Sequence, residues 1–142
     1  MATNQNEYNQ ALQNLIKMSG KKIEIKKVYQ NASPASGFSE QLVTIDFGDV
    51  KEGDLIAIEA LMSTEDTYKR KSTFIARYEI DSSVALNFVY TNSSKVAGFY
   101  RLVTIKNNGL YLYAGWASTV SSDTQNKARC IPVAVYIIKG VI

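Results

Sequence analysis

Ala97-Gly98-Phe99-Tyr100-Arg101-Leu102-Val103-Thr104-Ile105-Lys106, then Asn107-Asn108-Gly109, then Leu110-Tyr111-Leu112-Tyr113-Ala114-Gly115-Trp116: two runs rich in aromatic and β-branched residues flank a turn signal. Asn and Gly tolerate the positive φ that tight hairpin turns demand. The stretch therefore predicts a β-hairpin. Along its second arm, side chains alternate between faces. Leu110, Leu112, Ala114 and Trp116 fall on one face and predict the core side. Tyr111 and Tyr113 fall on the other, where an outward tyrosine pair offers apolar area with a polar tip. Such rings serve sheet packing, a subunit interface or a sugar platform, and Trp116 joins them as a candidate for either of the last two roles.

The same two-residue period extends outward in both directions. Upstream, Ile23 and Ile25 alternate with Lys22, Glu24 and Lys26, and residues 41–47, 73–80 and 84–90 repeat the pattern. The Ile-rich run 55–62 predicts a buried strand. Downstream, residues 128–138 predict the last strand, and Pro132 within it requires an edge or a bulge. Polar or charged loops separate these runs at 30–39, 63–72, 91–95 and 118–127. About eight strands with frequent turn signals and no helix between them predict an antiparallel β-sandwich of jelly-roll type.

The period changes only at the N-terminus. Across residues 4–18, Tyr8, Leu12, Leu15 and Ile16 form one narrow helical stripe, and Ser19-Gly20 supplies a stop. A helix so poor in apolar residues is marginal alone and must dock. The expected organisation is a helix in residues 1–20, for oligomerisation or anchoring, and one sandwich domain over residues 21–142.

Composition narrows the chemistry. The 142 residues are 46% hydrophobic and 20% charged, with a net charge of +3. That suits one globular domain. Lys21-Lys22 with Lys26-Lys27, and Lys69-Arg70-Lys71, read as solvated edges and a loop. With no recognition motif, they predict no nucleic-acid partner. The chain has no His, which removes the commonest general base and metal ligand. The single Cys130 lies in an apolar run and predicts a buried, inert thiol. Met1 to Glu7 is polar, and no run approaches the roughly 20 apolar residues of a bilayer span. The expectation is a soluble chain made in a cytoplasm, with no membrane insertion.

Other motifs read as local chemistry. Asp46-Phe47-Gly48 matches the kinase magnesium triplet without the rest of a kinase. Asp46, Asp49, Glu52 and Asp54 lack EF-hand spacing and predict a solvated acidic turn. Glu59 and Glu79 predict solvated strand carboxylates rather than a glycosidase pair. Asn31-Ala32-Ser33 and Asn92-Ser93-Ser94 match the glycosylation pattern but predict polar loops. No catalytic, cofactor or metal site is expected.

The stretch Lys27 to Asp46, with Asn31-Ala32-Ser33-Pro34, Phe38 and Gln41, resembles the opening of small β-sandwich domains in bacteriophage structural proteins. The closing run Cys130-Ile131-Pro132-Val133-Ala134-Val135-Tyr136-Ile137-Ile138-Lys139-Gly140 resembles their C-terminus, with Tyr136-Ile137-Ile138 in place of the usual Tyr-Gly-Ile. Such domains occur in tail fibres, baseplate or receptor-binding proteins and head appendages. The resemblance implies a non-enzymatic virion protein, usually a homotrimer, in contact with other virion proteins and in some cases with a host cell-surface glycan. It implies that the helix stripe Tyr8, Leu12, Leu15 and Ile16 is the trimerising or anchoring surface. The competing expectation from the residues is a monomeric carbohydrate-binding module, with Tyr111, Tyr113 and Trp116 as the sugar platform.

Overall fold

The computed structural model describes residues 4–19, 23–65, 69–92, 95–118 and 123–140. One helix, α1 (Asn4–Ser19), precedes ten strands: β1 (Glu24–Gln30), β2 (Gln41–Thr44), β3 (Leu55–Ser63), β4 (Lys71–Arg77), β5 (Ser83–Asn92), β6 (Lys95–Lys106), β7 (Gly109–Leu112), β8 (Trp116–Ser118), β9 (Asp123–Gln125) and β10 (Arg129–Lys139). They form two antiparallel sheets, packed as the expected sandwich. The four-stranded sheet runs β1-β10-β3-β4. The six-stranded sheet runs β2-β7-β6-β8-β9, with β5 also paired to β6.

Both inner faces are aliphatic and aromatic, which is why the layers close on each other. Ile56, Ile58, Val135 and Ile137 meet Leu86, Phe99, Val103, Ile105, Leu110 and Leu112 in one core. Each such fully buried side chain contributes roughly 1.5–3 kcal/mol. Phe74 on β4 meets Phe88 on β5 edge-to-face at 5.5 Å, which seals one open side of the sandwich.

The predicted hairpin is present. Lys106 pairs with Gly109 around Asn107-Asn108. A side chain at Gly109 would overlap the Val43 carbonyl of β2, so that position needs a glycine. The return arm is not one strand, however. It stops at Leu112 and resumes at Trp116, where β8 pairs with the far end of β6. The break resets the alternation. Trp116 lies opposite Tyr100, on the outer face, and not with Leu110 and Leu112 on the core side as the unbroken pattern predicts. Ala114 is buried as expected.

Other boundaries shift for similar reasons. β1 continues to Gln30 through a bulge between Lys27 and Tyr29 that the alternation hides. β9 lies within the polar stretch 118–127, because it pairs by backbone alone and has no apolar face. Pro132 sits in β10, a central strand, and is accommodated by a register shift between Pro132 and Ala134. Cys130 is fully buried, and burial pushes its thiol up to about 12.

α1 carries its stripe in the open. Tyr8 is 64% exposed and Leu12 45%. Leu15 and Ile16 are helical, but their side chains lie outside the described residues, as do the Gly20 stop, Lys21-Lys22 and most of Asn92-Ser93-Ser94. No described helix is long and apolar enough to cross a membrane.

Candidate binding groove

The outer face of the six-stranded sheet gathers the aromatic residues. Residues directly opposite each other in an antiparallel pair share a face. Leu42 pairs with Tyr111, Tyr111 with Thr104, and Tyr100 with Trp116, which places all of them outward. Tyr111 and Tyr113 meet edge-to-face at 4.8 Å. Trp116 stacks on Tyr100 with ring centroids 6.4 Å apart and planes only 10° from parallel. The two predicted tyrosines thus sit together, while Trp116 belongs to a second aromatic pair.

A groove of about 270 Å³ opens beside the strand interruption, lined by Phe38, Ser39, Glu40, Ala114, Gly115, Gln125 and Lys127. Ala114-Gly115, where the strand is interrupted between β7 and β8, forms part of its lining. Glu40 forms one wall and is fixed in place. Its Oε2 accepts a hydrogen bond from the Tyr111 hydroxyl at 2.6 Å, and its Oε1 accepts one from the Ala114 N–H at 3.3 Å. The bond to Glu40 holds the Tyr111 phenol above its ordinary pKa. Gln125, opposite Trp116 in the β8–β9 pair, stands on the other wall beside Lys127.

Beneath the floor is Arg101, fully buried on β6. Its position follows the inward alternation Phe99, Arg101, Val103, Ile105, so the strand delivers a cation to the core. Burying an unpaired charge is costly. Here four backbone carbonyls accept its N–H groups: Cys130 at 2.8 Å, Tyr113 at 2.6 Å, and Phe38 and Arg129 at 2.9 Å each. The guanidinium also lies 5.4 Å from the Phe38 ring centroid, within cation–π range. Burial lowers its pKa to about 10, so it stays charged at neutral pH.

Those four carbonyls belong to the three chain segments that surround the groove. Phe38 leads into Ser39 and Glu40, Tyr113 leads into Ala114 and Gly115, and Arg129 and Cys130 follow Lys127. Arg101 therefore ties floor and walls together from below. Gly115 makes room for it. A Cβ there would stand 2.6 Å from the carbonyl oxygens of Asn126 and Arg129, and 2.8 Å from Arg101 Nη2.

The acidic turn behaves differently. Asp46 Oδ1 accepts the Gly48 N–H at 2.9 Å, and Asp54 Oδ2 accepts the Lys51 N–H at 2.9 Å. Asp49 pairs with Lys139 at 2.7 Å, and that hydrogen bond lowers its pKa. These carboxylates close local turns and hold down β10, as turn chemistry predicts. Among the described residues, no cluster of His, Cys, Asp and Glu could hold a metal ion. No family model, curated protein or solved structure matches the chain.

Proposed function

We propose that the chain is a non-enzymatic structural domain of the kind found in virion appendages, assembled as a homotrimer through α1 and the outer face of the four-stranded sheet. One observation carries this reading: apolar side chains left uncovered on that side of the chain. Ile25 is 66% exposed and Ile75 58%. They lie on one outer face with Tyr136 and Ile138, through the pairs Ile25 with Ile138, Tyr136 with Ala57, and Ala57 with Ile75. α1 precedes this same sheet in the chain and exposes Tyr8 and Leu12. Tyr8, Leu12 and Leu15 also follow the alternating four- and three-residue spacing of a coiled-coil seam. Aliphatic area on a flat sheet face suits packing on a second protein surface. The number three comes from the resemblance of residues 27–46 and 130–140 to phage β-sandwich domains.

Light scattering on the full chain tests the proposal. A mass of three chains supports it, and a monomer at micromolar concentration overturns it. Leu12→Asp is expected to lower the mass without lowering the melting temperature of the sandwich.

A further inference from the structure

We infer that the groove over Arg101 is a binding site for a neutral pyranose, such as the end of an oligosaccharide. This inference goes beyond the assembly proposed above and uses the opposite face of the sandwich.

Size comes first. About 270 Å³ lies just below the roughly 300 Å³ at which drug-sized sites begin, which fits one sugar-scale ring. The polar groups come next. A carboxylate has about four lone-pair positions, and Glu40 uses two of them on Tyr111 and Ala114. Two acceptor positions remain on a side chain already fixed by the protein, so ligand hydroxyls can bond there at low entropic cost. Gln125 adds an amide donor and acceptor, and Lys127 adds donors. A polyol, which both donates and accepts at each hydroxyl, satisfies such a mixed set.

Charge then selects within the class. Glu40 and Lys127 balance each other on the groove walls, and Arg101 beneath is occupied by carbonyls. The groove therefore favours a neutral ring over a carboxylated or sulfated one. Last, the apolar part of the lining, Phe38 and Ala114, offers contact to the C–H side of a sugar.

The test is NMR titration of the full chain with methyl α-mannopyranoside, methyl α-glucopyranoside and methyl β-galactopyranoside, with N-acetylneuraminic acid as the charged probe. At least one neutral glycoside should shift the backbone amides of Glu40, Ala114, Gly115, Gln125 and Lys127. Gln125→Ala and Lys127→Ala, both surface changes in the lining, should each weaken that binding about fivefold or more while the melting temperature stays within about 2 °C. The inference is overturned if no neutral probe moves these amides at tens of millimolar, if shifts map elsewhere, or if the charged sugar binds as well. A Leu12→Asp chain titrated in parallel separates the two proposals. Retained shifts on a monomer uphold the groove independently of assembly, and a trimer without shifts upholds assembly alone.

Discussion

Both outer faces of the sandwich expose apolar side chains, Ile25 and Ile75 on the four-stranded sheet and Leu42, Val89, Leu102 and Tyr113 on the six-stranded one, but they differ in how they are made. On the four-stranded sheet, Ile25 and Ile75 stand on the two edge strands, each paired over most of its length. On the six-stranded sheet, the return arm of the central hairpin is broken at Tyr113 to Gly115, and a buried arginine fastens the loose segments. One face is flat and aliphatic. The other is indented, aromatic and polar at its centre. A flat aliphatic face gains by burial against another protein. An indented one with fixed polar groups selects a ligand by its hydrogen bonds.

The contrast breaks most severely at Arg101. Arg101→Met roughly keeps the volume but removes the donor from four carbonyl bonds, two of them buried and two part-buried, at about 1–3 kcal/mol for each group left unsatisfied. That is comparable with a whole domain's stability of about 5–15 kcal/mol. The expected result is a melting temperature lower by 10 °C or more. Hydrogen exchange should localise the lost protection to residues 38–40, 113–116 and 127–130. Unchanged protection there would dissolve the distinction between the faces.

Gly115→Ala is the next largest. The added methyl meets two carbonyl oxygens and Arg101 Nη2 at sub-contact distances, and overpacking of this kind costs about 1–3 kcal/mol. The four-stranded side has the opposite expectation. Ile25→Glu with Ile75→Lys should leave thermal stability within about 0.5 kcal/mol per site, as surface changes do, while lowering the oligomeric mass.

The smallest effect sharpens the polar wall. In Tyr111 the folded pKa is raised by the bond to Glu40. A raised folded value stabilises the fold below the unfolded pKa, near 10, and that contribution fades as pH rises through the folded value. Burial also raises Tyr29 and Tyr78, so ultraviolet titration should show several late-ionising rings, of which Glu40→Gln returns one, Tyr111, toward 10.

Much of this was legible in residue order. The hairpin, the buried Leu55–Ser63 strand, the sandwich and the Pro132 irregularity all follow from alternation and turn chemistry. The groove did not, for physical reasons. Glu40, Gln125 and Lys127 are polar residues in segments far apart in the chain, and only strand pairing brings them together. Trp116 falls on the core side only if the alternation runs unbroken, and the one residue that marks the interruption is Gly115, an isolated glycine inside a strand pattern. Arg101 did leave a signal. It occupies an inward position between Phe99 and Val103, where an apolar residue is the rule, and a cation there announces a buried network.

Among the described residues, no carboxylate touches the guanidinium; its acceptors are peptide oxygens. Peptide oxygens take up no proton in ordinary acid and attract no competing salt ions strongly. An ion pair in the same place would loosen as its acid partner was neutralised or screened. Held this way, the floor of the groove has no acid partner to lose in acidic or saline surroundings, and because burial lowers the arginine's own pKa to about 10, alkali is the condition that loosens it.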